Sequence, residues 1–570
     1  MRLPRAYTAL ALPVVLSLAL PQPPPTRAPA LPPASPAPAS PAVQSPAPGV
    51  RPAATPSAAP GQPSQPSQPG QPSQPEDRKA LTPRHPYADL LAQVVSGANV
   101  MVHLKKLEEF AKTGGGSRAA GTAGYEKSVR YVADRLRAGG YRVTVQDFEY
   151  PKSFKVLKPP VVQRLGAKAR QFRAGEDFRT TYHSGSGDVT ARVRPVDVRI
   201  PPGKTPNSST SGCEADDFDD FTPGDIALLQ RGRCAMRTKA RNAKAAGAAG
   251  LIIFNEGQKD RTKTARVDIG DWTLGLPAVF TSYAMGADLA RKPGRVRLAT
   301  STSVKTARTK NVIAESVYGR EDQVVMLGAH LDSVPEGAGI NDNGSGSAAL
   351  LEVAMRMNAA DSPNRMRFAW WGAEEAGLHG SLHYVDSLGE ADRERIAVYL
   401  NFDMVASPNY AYKVFDGDDS DKVGGVAGPP GSDQIERDFR AFYTRRKLTS
   451  VSTDFDGRSD YAAFVVAGIP AGGIFTGAEG KKSKAEAERF GGEAGKPYDP
   501  CYHAACDNAS NINATALDVN ADAIATLAAT YAFAPDLPGP DAPERSARTA
   551  GPPPWDASAR TVPARFPPAF

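Results

Sequence analysis

The sequence predicts an α/β protein: a mainly parallel central sheet covered by helices on both faces, with a small β-rich domain inserted into it. Three observations predict this. Beyond residue 309, apolar strand-like runs alternate with helical stretches, the pattern of parallel strands joined by crossover helices. Asp, Glu and His residues stand directly after several of those runs, where parallel sheets present the carboxyl ends at which ligands sit. Residues 155–308 change character, with short β-branched runs and frequent Gly and Pro, which marks a separate unit entered through a loop.

Along the 570 residues, Arg2 and Arg5 precede "AYTALALPVVLSLAL". A basic start with so short an apolar run reads as a signal peptide, residues 1–30, with Ala28 and Ala30 near the cleavage point, and not as a stable membrane anchor. The protein is expected to be secreted. Residues 31–78, including "QPSQPSQPGQPSQP", have almost nothing to bury against the entropy of ordering. A disordered linker or pro-segment is expected there, and a disordered Pro-rich tail over 536–570. Residues 80–154 and 309–535 carry the main α/β pattern. "NVMVHLKKLEEFAKT" and "AGYEKSVRYVADRLRAGGY" have helical apolar spacing, Gly139-Gly140 stops the second, and "RVTVQDFEY" alternates as a strand. Strands are expected at "KNVIAESVYG", "QVVMLGAHLD", "RMRFAWWGAEE", "RIAVYLNFDMV" and "IPAGGIFTG", with helices such as "GSAALLEVAMRMNAA" and "GSLHYVDSLG" between some of them.

A net charge of +7 could suggest a nucleic-acid partner. The densest basic stretch, "RGRCAMRTKARNAKAAGAAG", instead spaces Met236, Ala240, Ala243 and Gly247 as one helix face, with Lys and Arg on a solvated opposite face and no aromatic residues to stack bases. No nucleic acid is expected. The four cysteines pair by neighbourhood as Cys213–Cys234 and Cys501–Cys506, since an even count in an exported chain favours disulfides. A four-thiolate zinc site would want close C-x-x-C pairs.

His330, Glu374 with Glu375, and Asp403 each end an apolar run; Asp342 lies in a glycine-rich turn and His503 in "DPCYHAACDN". Of these, His330, Asp342, Glu375, Asp403 and His503 give two imidazoles and three carboxylates, a set of five that suits zinc or a similar first-row dication. Three carboxylates on one rim would repel unless cations neutralised them, and one of them bridging two ions gives each ion a histidine, a private carboxylate and the shared one. Glu374 and Glu375 point apart if extended, which leaves one free as a general base. Any one of these residues alone reads as a solvated loop side chain; five together do not.

These residues lie in "RAAGTAGYEKSVRYVADRLRAGGY", "GAHLDSVPEGAGINDNGSGSAALLE", "WWGAEEAGLHGS", "LNFDMV", "GRSDYAAFVVAGIPAGGIFTG" and "DPCYHAACDN". In order and spacing these stretches resemble the co-catalytic zinc aminopeptidases of the secreted bacterial leucyl-aminopeptidase type, over about residues 95–530. The resemblance implies a phosphorylase/hydrolase-like fold and two Zn²⁺ per chain: His330 and Asp403 on one, Glu375 and His503 on the other, Asp342 bridging. It implies Glu374 as general base, Asp332 as the carboxylate orienting His330, and Tyr502 as the oxyanion donor. Met404, Arg458 and Phe475 would surround the first side-chain pocket, whose two apolar members suggest bulky apolar N-terminal residues such as Leu. The substrates implied are peptide or protein N-termini, hydrolysed by a monomer. The inserted stretch "FTPGDIALLQRGRCAMRTKARNAKAAGAAGLIIFNEG" resembles the protease-associated (PA) domain.

His379 and His383 are spaced i, i+4 without an H-E-x-x-H pattern, so they read as surface or core histidines. "DGDDSD" (416–421) lacks the EF-hand spacing and terminal glutamate and reads as a solvated loop. Asp518 and Asp522 match calcium-binding positions of some relatives, but Val94 stands where an acidic partner is expected. An alternative function, a zinc carboxypeptidase of the glutamate-releasing type, would need a further helical dimerisation domain, for which too few foldable residues follow 506. A non-enzymatic receptor would be expected to lose ligands.

Overall fold

The structure, a computed structural model, describes residues 81–357, 360–424 and 427–539. The expected signal peptide and linker, and all but four residues of the expected tail, lie outside the described residues. Three helices come first, α1 (Tyr87–Val94), α2 (Gly97–Thr113) and α3 (Ala123–Ala138). Ser96 and Thr122 start α2 and α3 by accepting the Asn99 and Tyr125 amides, the side-chain capping that satisfies otherwise orphaned N–H groups.

The inserted region does not leave through a loop. Strand β1 runs without interruption from Arg142 to Arg164 and later pairs, antiparallel, with the 21-residue strand β8 (Arg295–Glu315). The two form a ribbon that ties the two halves together, with register shifts around Pro151, Val156 and Lys158 where the alternation is broken. Beyond the ribbon lie β2 (Arg170–Gln171), β3 (Phe178–Thr180), β4 (Gly187–Pro195), β5 (Ile226–Gln230), α4 (Met236–Ala245), β6 (Gly250–Phe254), β7 (Ala278–Thr281) and α5 (Tyr283–Arg291). Strands β4, β5, β6 and β7 are parallel, with β3 antiparallel at one edge and β4 beside β8 at the other. Helix α4 buries Met236, Ala240 and Ala243 against one face, and α5 buries Met285 and Leu289 against the other. Lys239 departs from the solvated face expected of it: it is fully buried, and its ammonium donates to the Ser211 carbonyl at 2.5 Å. Gly247 falls beyond the end of α4.

After the ribbon come β9 (Arg320–His330), α6 (Gly346–Met357), β10 (Asn364–Trp371), α7 (His379–Ser387), α8 (Glu390–Glu394), β11 (Ile396–Phe402), β12 (Lys413–Phe415), α9 (Ser432–Arg445), β13 (Val451–Thr453), α10 (Tyr461–Val466), β14 (Ala471–Phe475), α11 (Lys484–Phe490) and α12 (Ala514–Phe533). The sheet order is β13-β12-β14-β11-β9-β10-β8, and the central four, β14, β11, β9 and β10, are mutually parallel. Successive residues on a strand face opposite ways, so each central strand feeds two cores. Val325, Leu327, Phe368, Trp370, Val398 and Leu400 join α1, α2, α3, α6, α9 and α12 on one face. Val324, Met326, Trp371 and Tyr399 join α7 and α10 on the other. Burial on both faces is why these strands read as continuous apolar runs.

Candidate metal centre and its cleft

The parallel register sets the site. Trp371 pairs with His330, and Asn401 with Gly328, so His330, the turn after β10 and Asp403 all emerge at one rim of the sheet.

His330 is 1% exposed. Its Nε2 stands 3.3 Å from Asp342 Oδ1, 3.3 Å from Asp403 Oδ1 and 3.9 Å from Glu374 Oε2. The other oxygen of Asp342 faces His503, at 2.9 Å from Nε2, and His503 Nε2 also stands 3.1 Å from Glu375 Oε2. The Asp342 carboxylate thus lies between two ligand groups, one oxygen toward each.

Asp342 sits in the turn Ile340–Ser345, which is held from below. Asp507 accepts the amides of Asn341 and Asp342 at 2.8 and 3.0 Å. The fully buried guanidinium of Arg118 donates to the carbonyls of Ala338 (2.9 Å), Gly339 (2.6 Å) and Leu331. Asn343 bridges to β11 by donating to the Phe402 carbonyl at 2.8 Å.

Glu374 and Glu375 are not extended. Ala373 takes a left-handed conformation (φ 56°) and breaks the strand, so alternation does not apply and both carboxylates line the same cleft. Asp332 reaches both His330 and Glu374. His330 Nδ1 is 3.2 Å from the Asp332 main-chain oxygen and 3.8 Å from its carboxylate, and that carboxylate accepts the Glu374 amide at 3.1 Å. Asp403 Oδ2 accepts from Ser459 at 2.6 Å.

His503 also has a positive φ (56°). The disulfide Cys501–Cys506 closes its loop, and the Tyr502 ring stacks on the imidazole at 3.8 Å. Arg458 donates to the Tyr502 hydroxyl at 3.0 Å and pairs with Glu479 at 2.9 Å. The second disulfide joins Cys213 and Cys234.

The protein's own charges leave this cluster strained. Burial disfavours the charged forms of Glu374 and Glu375; with neighbouring carboxylates adding to it, Glu374 is driven well above the usual carboxylate range and Glu375 to about 7. Burial works against charge on the histidines too, yet the carboxylates around them outweigh it: His330 is raised well above its ordinary value and His503 to about 9. His330 Nε2 and Asp403 Oδ1 are buried and make no hydrogen bond. Zinc with ligand bonds of about 2.0–2.1 Å in a tetrahedron separates its ligand atoms by about 3.3–3.4 Å, close to the 3.3 Å spacings around His330. The donor set fits zinc.

The cleft measures about 550 Å³, open to solvent, and the pocket residues Met404, Arg458 and Phe475 all line it. Sequence reasoning missed Phe415, Asp454 and Asp456 on the same lining, which no motif marks, and Tyr461, which lies in "GRSDYAAFVVAGIPAGGIFTG". It also missed Arg118 and Asp507, although both lie within quoted motifs. Among the other candidates, Asp518 accepts the Gly97 amide at 2.7 Å and Asp522 pairs with Arg446, so each has a protein partner. Asp416 and Asp418, with Glu436, could hold an ion, although backbone amides already occupy Asp416. His379 lies at the seam between the two halves of the chain, 6.1 Å from the His183 ring of the inserted region. His383 stacks on Phe148.

An aminopeptidase of Pseudomonas aeruginosa is 48% identical over 442 residues, covering 76% of this chain and 81% of that protein. The sequence pattern of peptidase family M28 matches residues 311–528. The chain belongs to peptidase family M28. Its inserted region contains the PA-domain pattern at 195–289, as that resemblance implied. Leucine aminopeptidase 2 of Trichophyton tonsurans is 36% identical over 450 residues, covering 78% of this M28 chain and 86% of its own. A zinc aminopeptidase of Bacillus subtilis, 26% identical, superposes over 76% of this chain and 94% of that one with a TM-score of 0.42. Among the described residues, no helix is long and apolar enough to cross a membrane.

Proposed function

We propose that this M28 chain is a secreted, monomeric aminopeptidase that binds two zinc ions and hydrolyses N-terminal peptide bonds, favouring bulky apolar residues such as Leu. The observation that carries the reading is the Asp342 carboxylate, with one oxygen 3.3 Å from His330 Nε2 and the other 2.9 Å from His503 Nε2. His330 and Asp403 would hold one ion and Glu375 and His503 the other, with Asp342 shared. Zinc bound there would supply Lewis acidity toward the scissile carbonyl and the attacking water.

The chain's own groups do the rest. Glu374, hydrogen-bonded through its amide to Asp332, takes the proton of the attacking water at its carboxylate and returns it to the departing amine. Tyr502, oriented by Arg458 and by stacking on His503, donates its hydroxyl to the developing oxyanion. Met404 and Phe475 form apolar wall for the first side chain. The names of the Pseudomonas and Trichophyton relatives support the reaction and the leucine preference, and the two disulfides support an exported chain.

The test is hydrolysis of leucyl and of C-terminal glutamyl chromogenic amides, with and without chelator, alongside zinc analysis of the purified protein. Leucyl cleavage that chelator abolishes, with two zinc ions per chain, is expected. Glutamyl release would instead indicate the carboxypeptidase, and silence on both with an intact fold would sink the enzymatic reading.

A further inference from the structure

The loop that carries Tyr502 and His503 is bracketed by two carboxylates, Asp499 before Cys501 and Asp507 after Cys506. Both are buried, and both receive hydrogen bonds from the turn that carries Asp342. Asp499 Oδ2 accepts from the Asn341 side chain at 2.7 Å, and Asp507 accepts the amides of Asn341 and Asp342 at 2.8 and 3.0 Å. Asn511 joins the two carboxylates a second time. Its Nδ2 stands 3.0 Å from both oxygens of Asp499 and 3.1 Å from Asp507 Oδ1. Asp499, Asn341, Asp507 and Asn511 thus form a closed ring of two acceptors and two donors, all buried. Asp499 also accepts the Cys501 amide at 2.8 Å, so the ring grips the first residue of the disulfide loop.

None of the four is among the residues lining the cleft, so whatever they do for the reaction they do through others. The disulfide constrains the shape of the loop but not its place, because both cysteines belong to the loop itself. Placement has to come from contacts with another segment, and hydrogen bonds to an ionised acceptor are the strong ones. We infer that Asp499 is a positioning residue: through Asn341 and Asn511 it docks the Tyr502–His503 loop on the Asp342 turn, and so sets the 2.9 Å approach of His503 Nε2 to Asp342. The affinity for the ion assigned to Glu375, His503 and Asp342 depends on that approach. His330 and Asp403, the private ligands of the other ion, stand at the ends of β9 and β11, outside the ring. The inference rests on the two-zinc reading above.

The experiment is equilibrium dialysis of the full chain against graded chelator, with zinc counted per chain. Asp499→Asn keeps the size of the side chain but turns an amide nitrogen toward groups that donate. One of the two zinc dissociation constants is expected to rise about 10–100-fold, the range for losing a hydrogen bond that orients a ligand, while the other changes less. With zinc saturating, leucyl kcat is expected to fall about tenfold at unchanged KM, because Tyr502 rides on the same loop. Asn511→Ala cuts the ring at its other bridge and should move the same zinc constant in the same direction, so a misfolded Asp499→Asn leaves the test intact. Lys482→Met serves as the comparison for stability alone. The Lys482 ammonium, outside the ring, ties the carbonyls of Tyr410 and Gly491 together at 2.7 and 2.5 Å, and its loss should lower the denaturant midpoint with both zinc constants kept. Ring variants that lose stability as Lys482→Met does, with both zinc constants unchanged, would overturn the inference and leave the two-zinc reading standing. A native chain that takes up a single zinc ion would bring down the two-zinc reading and this inference with it.

Discussion

In the inserted region a buried charge meets its partner directly: the wholly enclosed Glu256 pairs with Arg261 at 2.7 Å, and Arg164 with Asp288 at 2.8 Å. In the catalytic half, Asp342, Glu374, Glu375 and Asp403 crowd around His330 and His503, and the basic residue on their cleft, Arg458, turns to Glu479 and Tyr502. Both halves are sheets with helices on two faces. What separates these two clusters is whether the chain neutralises the charge buried in them. A fold that stops short of doing so has left room for charge from outside, and that imbalance locates chemistry better than the strand order does. Changing the uncompensated side should alter catalysis, and changing the compensated side should alter only stability.

The largest expected effect is at Glu374. Glu374→Gln keeps the shape and the Asp332 contact to its amide but cannot accept a proton. We expect kcat to fall by about 10²–10⁴-fold, with KM and zinc content retained, the range for removing a general base. A rise in KM with kcat untouched would mean that Glu374 binds substrate instead of moving a proton.

How much of this contrast the sequence reveals depends on what local pattern can express. His330 and Asp403 are legible because each follows a strand buried on both faces, which makes a polar residue at its end conspicuous. The central strands are legible for the same reason. The left-handed turn at Ala373 is invisible, because nothing in "WWGAEE" demands it, and so the two glutamates were expected to point apart. Lys239 was expected in solvent because helical spacing shows a face but not the Ser211 carbonyl arriving from another segment. The ribbon was expected as a loop, since Pro and Lys interrupt the alternation of β1 where its register shifts. Asp454 and Asp456 reach the cleft through tertiary structure alone.

A matched pair of substitutions sharpens the comparison next. Arg118→Met would leave the carbonyls of Leu331, Ala338 and Gly339 buried without their donor, at about 1–3 kcal/mol for each unsatisfied group. Unfolding free energy should drop by about 3 kcal/mol or more, and zinc content should drop with it, because those carbonyls flank Asp332 and Asp342. Arg261→Met strips Glu256 of its cation and should cost about as much, but with zinc content unchanged. Denaturant unfolding with elemental analysis of both variants checks this. Equal loss of zinc in the two would break the contrast between the halves.

Smaller again is the disulfide at the site. Cys501 and Cys506 close a short loop, worth about 2 kcal/mol by chain entropy, yet that loop carries Tyr502 and His503. A reductant titration should therefore lower activity before the unfolding transition moves appreciably. Activity and ellipticity falling together would assign the bond to stability alone.

The smallest effect lies at the seam between the halves. His379 opens α7, five residues beyond Glu374, and its ring lies 6.1 Å from both His183 and Tyr150. Its Nε2 is shut from solvent without a hydrogen bond. Burial first, and then the neighbouring His183, pushes it down to about 3, against the pull of Asp268, which is itself bonded to His183 at 2.8 Å. In the unfolded chain it returns to about 6.5. Between those values the unfolded state binds the extra proton, so stability rises with pH across the window and is lost as pH falls below about 6.5. The loss should be about 1 kcal/mol per pH unit. His379→Gln keeps a neutral polar side chain and removes the titration, so the stability difference between the native chain and this variant should shrink or reverse in the variant's favour from pH 7 to pH 5. A difference that stays constant over that range would mean that the imidazole gains a proton without cost. The seam would then belong with the compensated half of the molecule, Asp268 answering for His379 as Arg261 answers for Glu256.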